Sequence, residues 1–131
     1  MIAASDEADT EARDLVTDFR EAYEGALNSK DYSKIDPYLL KGGHAAKDLK
    51  EYIGDLKDTA YDYNFTLTEV NDVTKKSDVE MEVITREKFV FTNHLDETVN
   101  YDREKVYTLK LDGDDLKIEY IDYVETNRDK E

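Results

Sequence analysis

The chain has 131 residues, a formal charge of −15 and a pI near 4.5; it is 39% hydrophobic and 39% charged, and it contains no cysteine. That length fits one domain, which buries roughly two-thirds of its unfolded surface on folding. Lack of cysteine excludes disulfides, thiolate metal sites and thiol catalysis, and the acidic field repels nucleic acid and anionic lipid.

Apolar residues Ala12, Leu15, Val16, Phe19, Ala22, Tyr23, Ala26 and Leu27 recur at the spacing of one buried stripe and predict a helix over 6–28. Ser5 is placed to cap it, and the remaining face reads as charged and solvated. A short helical segment follows at 32–40, where Asp36-Pro37 fits either a helix start or the bend between two short turns. Gly42-Gly43 breaks the chain before a third helix at 44–59, whose stripe is Leu49, Tyr52, Ile53 and Leu56. Tyr61, Tyr63, Phe65, Leu67, Val70 and Val73 then alternate as a strand, with a slip in phase that places a bulge near Thr68 and Glu69.

Residues 79–111 read as one long hairpin folded at 93–97. In that register Met81 meets Leu109, Val83 meets Tyr107 and Phe89 meets Tyr101 on one face. On the other, Arg86 meets Glu104, Lys88 meets Asp102 and Glu80 meets Lys110. A single register satisfies both faces, as a half-buried strand pair requires. Asp112-Gly113-Asp114-Asp115 makes a tight turn into a last strand at 116–124. The order predicts a single α+β domain over 1–131, three helices on one face of a four-stranded antiparallel meander, with 1–5 and 125–131 frayed. No apolar run reaches the ~20 residues that span a bilayer, so no direct membrane insertion is expected.

The junction Phe19-Arg20-Glu21-Ala22-Tyr23 leading to Ala26-Leu27-Asn28-Ser29-Lys30-Asp31-Tyr32, with Leu116-Lys117-Ile118 and Ile121 near the end, resembles the NTF2-like fold. More narrowly, Asp36-Pro37-Tyr38-Leu39-Leu40-Lys41-Gly42-Gly43, Leu49-Lys50-Glu51-Tyr52-Ile53 and Thr85-Arg86-Glu87-Lys88-Phe89 resemble the C-terminal domain of TcaA-type Gram-positive envelope proteins. The resemblance implies a curved sheet cupping helices into a cone, in an extracytoplasmic domain of a membrane-anchored protein associated with the cell wall and glycopeptide response. It implies a non-catalytic binding or interaction role and supplies no catalytic residues.

The hairpin's inward face is apolar at its ends and polar in the middle, at Thr85, Glu87, Arg103 and Lys105. Glu87 falls opposite Arg103, and Asp122 of the last strand reaches the same band from either of two turn registers. Tyr101, Tyr107 and Tyr120 surround it. Buried charges must be paired or wet, so the band reads either as a polar ligand pocket or as an open rim of weak ion pairs. An enzyme of the ketosteroid-isomerase kind would need a carboxylate base here, but a cation opposite Glu87 moves its pKa the wrong way. On the outward face Ile84, Val106, Ile121 and Tyr123 form an apolar patch suited to a partner or a homodimer contact.

His44 and His94 lack metal-ligand spacing, and nothing in the sequence asks for a metal or other cofactor. The expected partner is a protein or a small, cationic ligand.

Overall fold

A computed structural model describes residues 6–130, with side chains described for residues 7–124. The Ser5 cap and the expected fraying of 1–5 lie outside the described residues. Two α-helices, α1 (Asp6–Ser29) and α2 (His44–Asp55), precede four strands: β1 (Asp62–Lys75), β2 (Glu80–Thr92), β3 (Thr98–Asp112) and β4 (Asp115–Lys130). The strands form one antiparallel meander in the order β1-β2-β3-β4.

The segment expected as a middle helix is instead two 3-10 turns, Tyr32–Lys34 and Asp36–Tyr38. Asp31 caps the first, accepting from the Ser33 backbone N–H at 3.0 Å and the Ser33 hydroxyl at 2.6 Å. Pro37 opens the second, where its missing N–H costs nothing. Residues 39 and 40 then dock on the last strand: Leu39 bridges Ile118 in parallel, and the Leu40 N–H donates to the Ile118 carbonyl at 2.8 Å.

The core lies between the helices and the concave face of the sheet. Val16, Phe19, Ala26 and Leu27 of α1 and Ile53 of α2 meet Met81, Val83, Tyr107, Leu109 and Ile118. Helix α1 also closes the free edge of β1. Asn28 donates to the Tyr63 carbonyl at 2.8 Å and accepts from the Tyr63 N–H at 2.7 Å, while Glu24 accepts from the Phe65 N–H at 2.6 Å. Those backbone groups would otherwise be an open template for another strand.

The β2–β3 register is the one read from the sequence, from Glu80 opposite Lys110 to Thr92 opposite Thr98. The outer strands are less regular. β1 carries two bulges, at Thr66 and Asn71, in place of the one expected near Thr68 and Glu69. Leu67 therefore turns outward opposite Lys88, and Thr68 faces in opposite Glu87. β4 goes on pairing with β3 as far as Lys130 opposite Val99, across a register shift between Glu125 and Asn127 and well past the expected end at Val124.

A bulge at Glu119 changes the faces of β4. Ile118 pairs with Leu109, but Tyr120 pairs with Thr108 and Asp122 with Val106. One extra residue exchanges the two faces of everything beyond it.

Candidate functional site

The polar band in the middle of the hairpin is buried beneath α1, not spread along an open rim. Glu87 and Thr85 are 0% exposed, Lys105 5% and Arg20 2%. Glu87 Oε1 takes ionic contacts from Arg20 Nη1 at 2.9 Å and Lys105 Nζ at 3.1 Å. Its Oε2 accepts from the Thr85 hydroxyl at 2.7 Å and from the Tyr107 hydroxyl. Oε2 thus accepts two hydrogen bonds, while Oε1 lies at ion-pair distance from two cations without accepting a hydrogen bond among the described residues. Glu87 and Arg103 are opposite in register, but the ion pairs of Glu87 are with Arg20 and Lys105.

Charge and burial work against each other here. Burial pushes the Glu87 carboxyl up, yet Lys105, Arg20, Tyr107 and Thr85 together outweigh it and hold the group below the ordinary glutamate value. Burial pulls Lys105 down to about 8, against the Glu87 charge that favours its ammonium form. The Tyr107 hydroxyl is raised by burial and by the Glu87 charge, so it stays a neutral donor.

Above this cluster opens a cavity of about 430 Å3. Arg20, Tyr23 and Leu27 of α1, Leu49 and Tyr52 of α2, and Leu56 and Tyr61 form one side. Tyr63, Phe65, Phe89, Phe91, Tyr101, Arg103, Lys105 and Tyr123 of the sheet form the other. Rings and cations interleave along the wall. The Arg20 guanidinium lies 3.7 Å from the Phe65 centroid and that of Arg103 4.2 Å from the Tyr123 centroid; Lys105 Nζ is 5.6 Å from the Tyr23 centroid. Phe89 and Tyr101 stack at 4.7 Å, and the Tyr52 and Tyr63 hydroxyls share a hydrogen bond.

Of the residues proposed from sequence, Lys105, Arg103 and Tyr101 line this cavity. Glu87 and Tyr107 are buried beneath it. Asp122 and Tyr120 are not in the band, because the Glu119 bulge puts them on the outward register; Tyr120 instead meets the His44 ring edge-on at 5.5 Å. The same bulge removes Ile121 and Tyr123 from the outward patch. Ile121 packs against the core and Tyr123 joins the cavity wall, leaving Ile84 and Val106, with Val124 nearby, on the outer face. Arg20 was missed altogether. Its signal was position, one turn beyond Val16 and directly beside Phe19 on the buried stripe.

Among the described residues no three His, Asp or Glu side chains converge as metal ligands would, and no helix is long and apolar enough to cross a membrane.

The TcaA protein NTF2-like domain family matches residues 8–123. This chain belongs to that family. No curated protein matches it. Among solved structures it is similar to a type-3 hexachlorocyclohexane dehydrochlorinase (LinA) from Novosphingobium barchaimii LL02, with TM-score 0.68 and 8% identity over 96% of this chain and 94% of that one. A type-2 LinA gives TM-score 0.66 and 9% identity over 96% and 93%. An NTF-2 like protein of unknown function from Shewanella oneidensis MR-1 gives 0.58 and 13% over 86% and 98%. At such identities the likeness is one of fold: the NTF2-like α+β cone.

Proposed function

We propose that this TcaA NTF2-like domain is a non-catalytic binding module that takes a small molecule into its cone, within a membrane-anchored protein of the cell envelope. The carrying observation is the state of Glu87. A general base needs access to its substrate and a pKa near the working pH, whereas this carboxylate is fully buried, lies between two cations and is held ionised. Glu87 therefore supports the cavity from beneath, holding Arg20 and Lys105 in place, and does not act on what enters it. The aromatic wall and the cavity's size, within the roughly 300–1,000 Å3 common for ligand sites, support binding. The envelope setting is supported by the family alone.

Titrating the 15N-labelled domain with a library of small aromatic compounds is expected to shift amide signals confined to Tyr23, Leu49, Tyr52 and Phe91. Absence of any such hit argues against the binding reading. With an enolisable ketone in deuterated buffer, the α-protons are expected to exchange no faster than in buffer alone. Faster exchange would show chemistry and overturn the non-catalytic role. The location is read by placing a single cysteine at Asp114 in the full-length protein, which a membrane-impermeant maleimide should label on intact cells.

A protein partner or homodimer on the outer sheet face has less support. Among the described residues its apolar side chains, Leu67, Ile84, Val90, Val106, Tyr120 and Val124, are interspersed with charges such as Arg86, Lys88, Asp102 and Glu104, and so make no continuous apolar core for an interface.

A further inference from the structure

The floor of the cavity holds more positive than negative charge. Arg20 and Lys105 both line the cavity, and they share one carboxylate, that of Glu87. The Arg20 guanidinium is committed on two of its nitrogens: Nη1 to Glu87, and Nε to the Thr68 hydroxyl at 3.4 Å. Its Nη2 is buried and has no hydrogen-bond acceptor among the described residues; Glu87 Oε1 accepts no hydrogen bond either, but it already lies against two cations. A buried guanidinium N–H without an acceptor is costly, and the group that satisfies it best is an anionic oxygen, because charge-assisted hydrogen bonds are the strong ones. The remainder of the wall is largely flat and aromatic, with Tyr23, Phe65, Phe89 and Tyr101 presenting rings and the Arg103 guanidinium lying against several of them.

We propose that the cavity selects a small organic anion, a carboxylate on an aromatic or flat apolar body, with the charged end on Arg20 and Lys105 and the body between the rings. The proposal rests on the binding role above and assigns its ligand a charge and a shape. It reverses the cationic ligand that the acidic composition suggests. The net charge of −15 belongs to the whole chain, while the cavity floor carries two cations for one anion. Lys105 remains mainly an ammonium at neutral pH, since burial lowers it only to about 8. Selection against a cation follows from the same geometry: an ammonium placed there would face Arg20 and Lys105 across a low-dielectric gap. A neutral alcohol would offer Arg20 an acceptor, but an uncharged one.

The test uses three probes with one body: naphthoate, naphthalenemethanol and naphthylmethylammonium, titrated at pH 7 by calorimetry with 15N spectra recorded alongside. The naphthoate is expected to bind about tenfold or more tighter than the alcohol, the ammonium weakest, with shifted amides around Tyr23, Phe65 and Phe89. Arg20→Gln is expected to narrow the naphthoate's advantage over the alcohol at least about threefold, because it removes one of the two cations that meet the charged end. If that variant does not fold, Lys105→Met, which keeps the Arg20–Glu87 pair, should narrow the same gap. Equal binding of naphthoate and alcohol, or tightest binding of the ammonium, overturns anion selection and leaves the binding role standing. No binding by any of the three overturns both. Naphthoate binding that Leu49→Trp, which fills the cavity mouth, leaves intact would place the anion elsewhere and overturn the assignment.

Discussion

Glu87 concentrates the local energetics of this fold. Four side chains from three elements converge on it: Arg20 of α1, Thr85 of β2, and Lys105 and Tyr107 of β3. Removing one partner of a buried ion pair is far costlier than exchanging the whole pair, because the other charge is left behind. Glu87→Gln strands two buried cations and is expected to lower unfolding free energy by about 3–5 kcal/mol in urea titration. Lys105→Met leaves Arg20 on Glu87 and replaces an ammonium that burial disfavours with an apolar stem. It is expected to cost less than half as much. Equal costs would mean that Lys105, not Arg20, is the principal counter-charge. Four of the five cluster members were legible in the sequence, because strand pairing alone brings positions 85, 87, 105 and 107 together. Arg20 was not legible because arginine is usually solvated, so it does not stand out from the charged remainder of the helix.

At the scale of elements, the long hairpin was readable to its last pair because complementary side chains fix its register on both faces. The last strand was not, and its failure has a local cause. Leu116 and Ile118 face the core in one phase, and Ile121 and Tyr123 face the helix side in the other. That slip is the signature that betrayed irregularity in β1, but Tyr120 sits in the apparent alternation and hides it. The bulge itself lies where α2 begins. An added Cβ at Gly43 would come within 3.2 Å of the Glu119 carbonyl oxygen and 3.1 Å of the Leu40 carbonyl oxygen, both backbone atoms with little freedom. Gly43→Ala is therefore expected to destabilise by about 1 kcal/mol, through overpacking at the bulge. Gly54, inside α2, has nothing within 4 Å of the same added atom. Gly54→Ala should stabilise by ~0.5 kcal/mol, from helix propensity alone. Opposite signs in one thermal-unfolding series would confirm that α2 is closely packed on the β4 bulge at Gly43 and has open space at Gly54.

For the whole molecule, sign of charge is sorted by depth. The chain carries 33 acidic against 18 basic Lys and Arg residues, yet Arg20, Arg103 and Lys105 all line the cavity. An anion approaching from solution first meets a repulsive field and only then an attractive floor. The two respond differently to salt. The Debye length shrinks from about 30 Å at 0.01 M to about 8 Å at 0.15 M, so the long-range repulsion is screened while buried contacts at hydrogen-bond distance are not. Stopped-flow binding of naphthoate should accordingly become faster as ionic strength rises over that range, with a nearly constant dissociation rate and a higher affinity. An exposed basic patch would give the reverse, with association slowing as its attraction is screened. A rate that falls with salt would mean that the cavity's own cations reach past the acidic surface and govern approach. A rate that rises would show that the acidic exterior and the cationic interior act separately, the exterior setting how fast an anion arrives and the interior how long it stays.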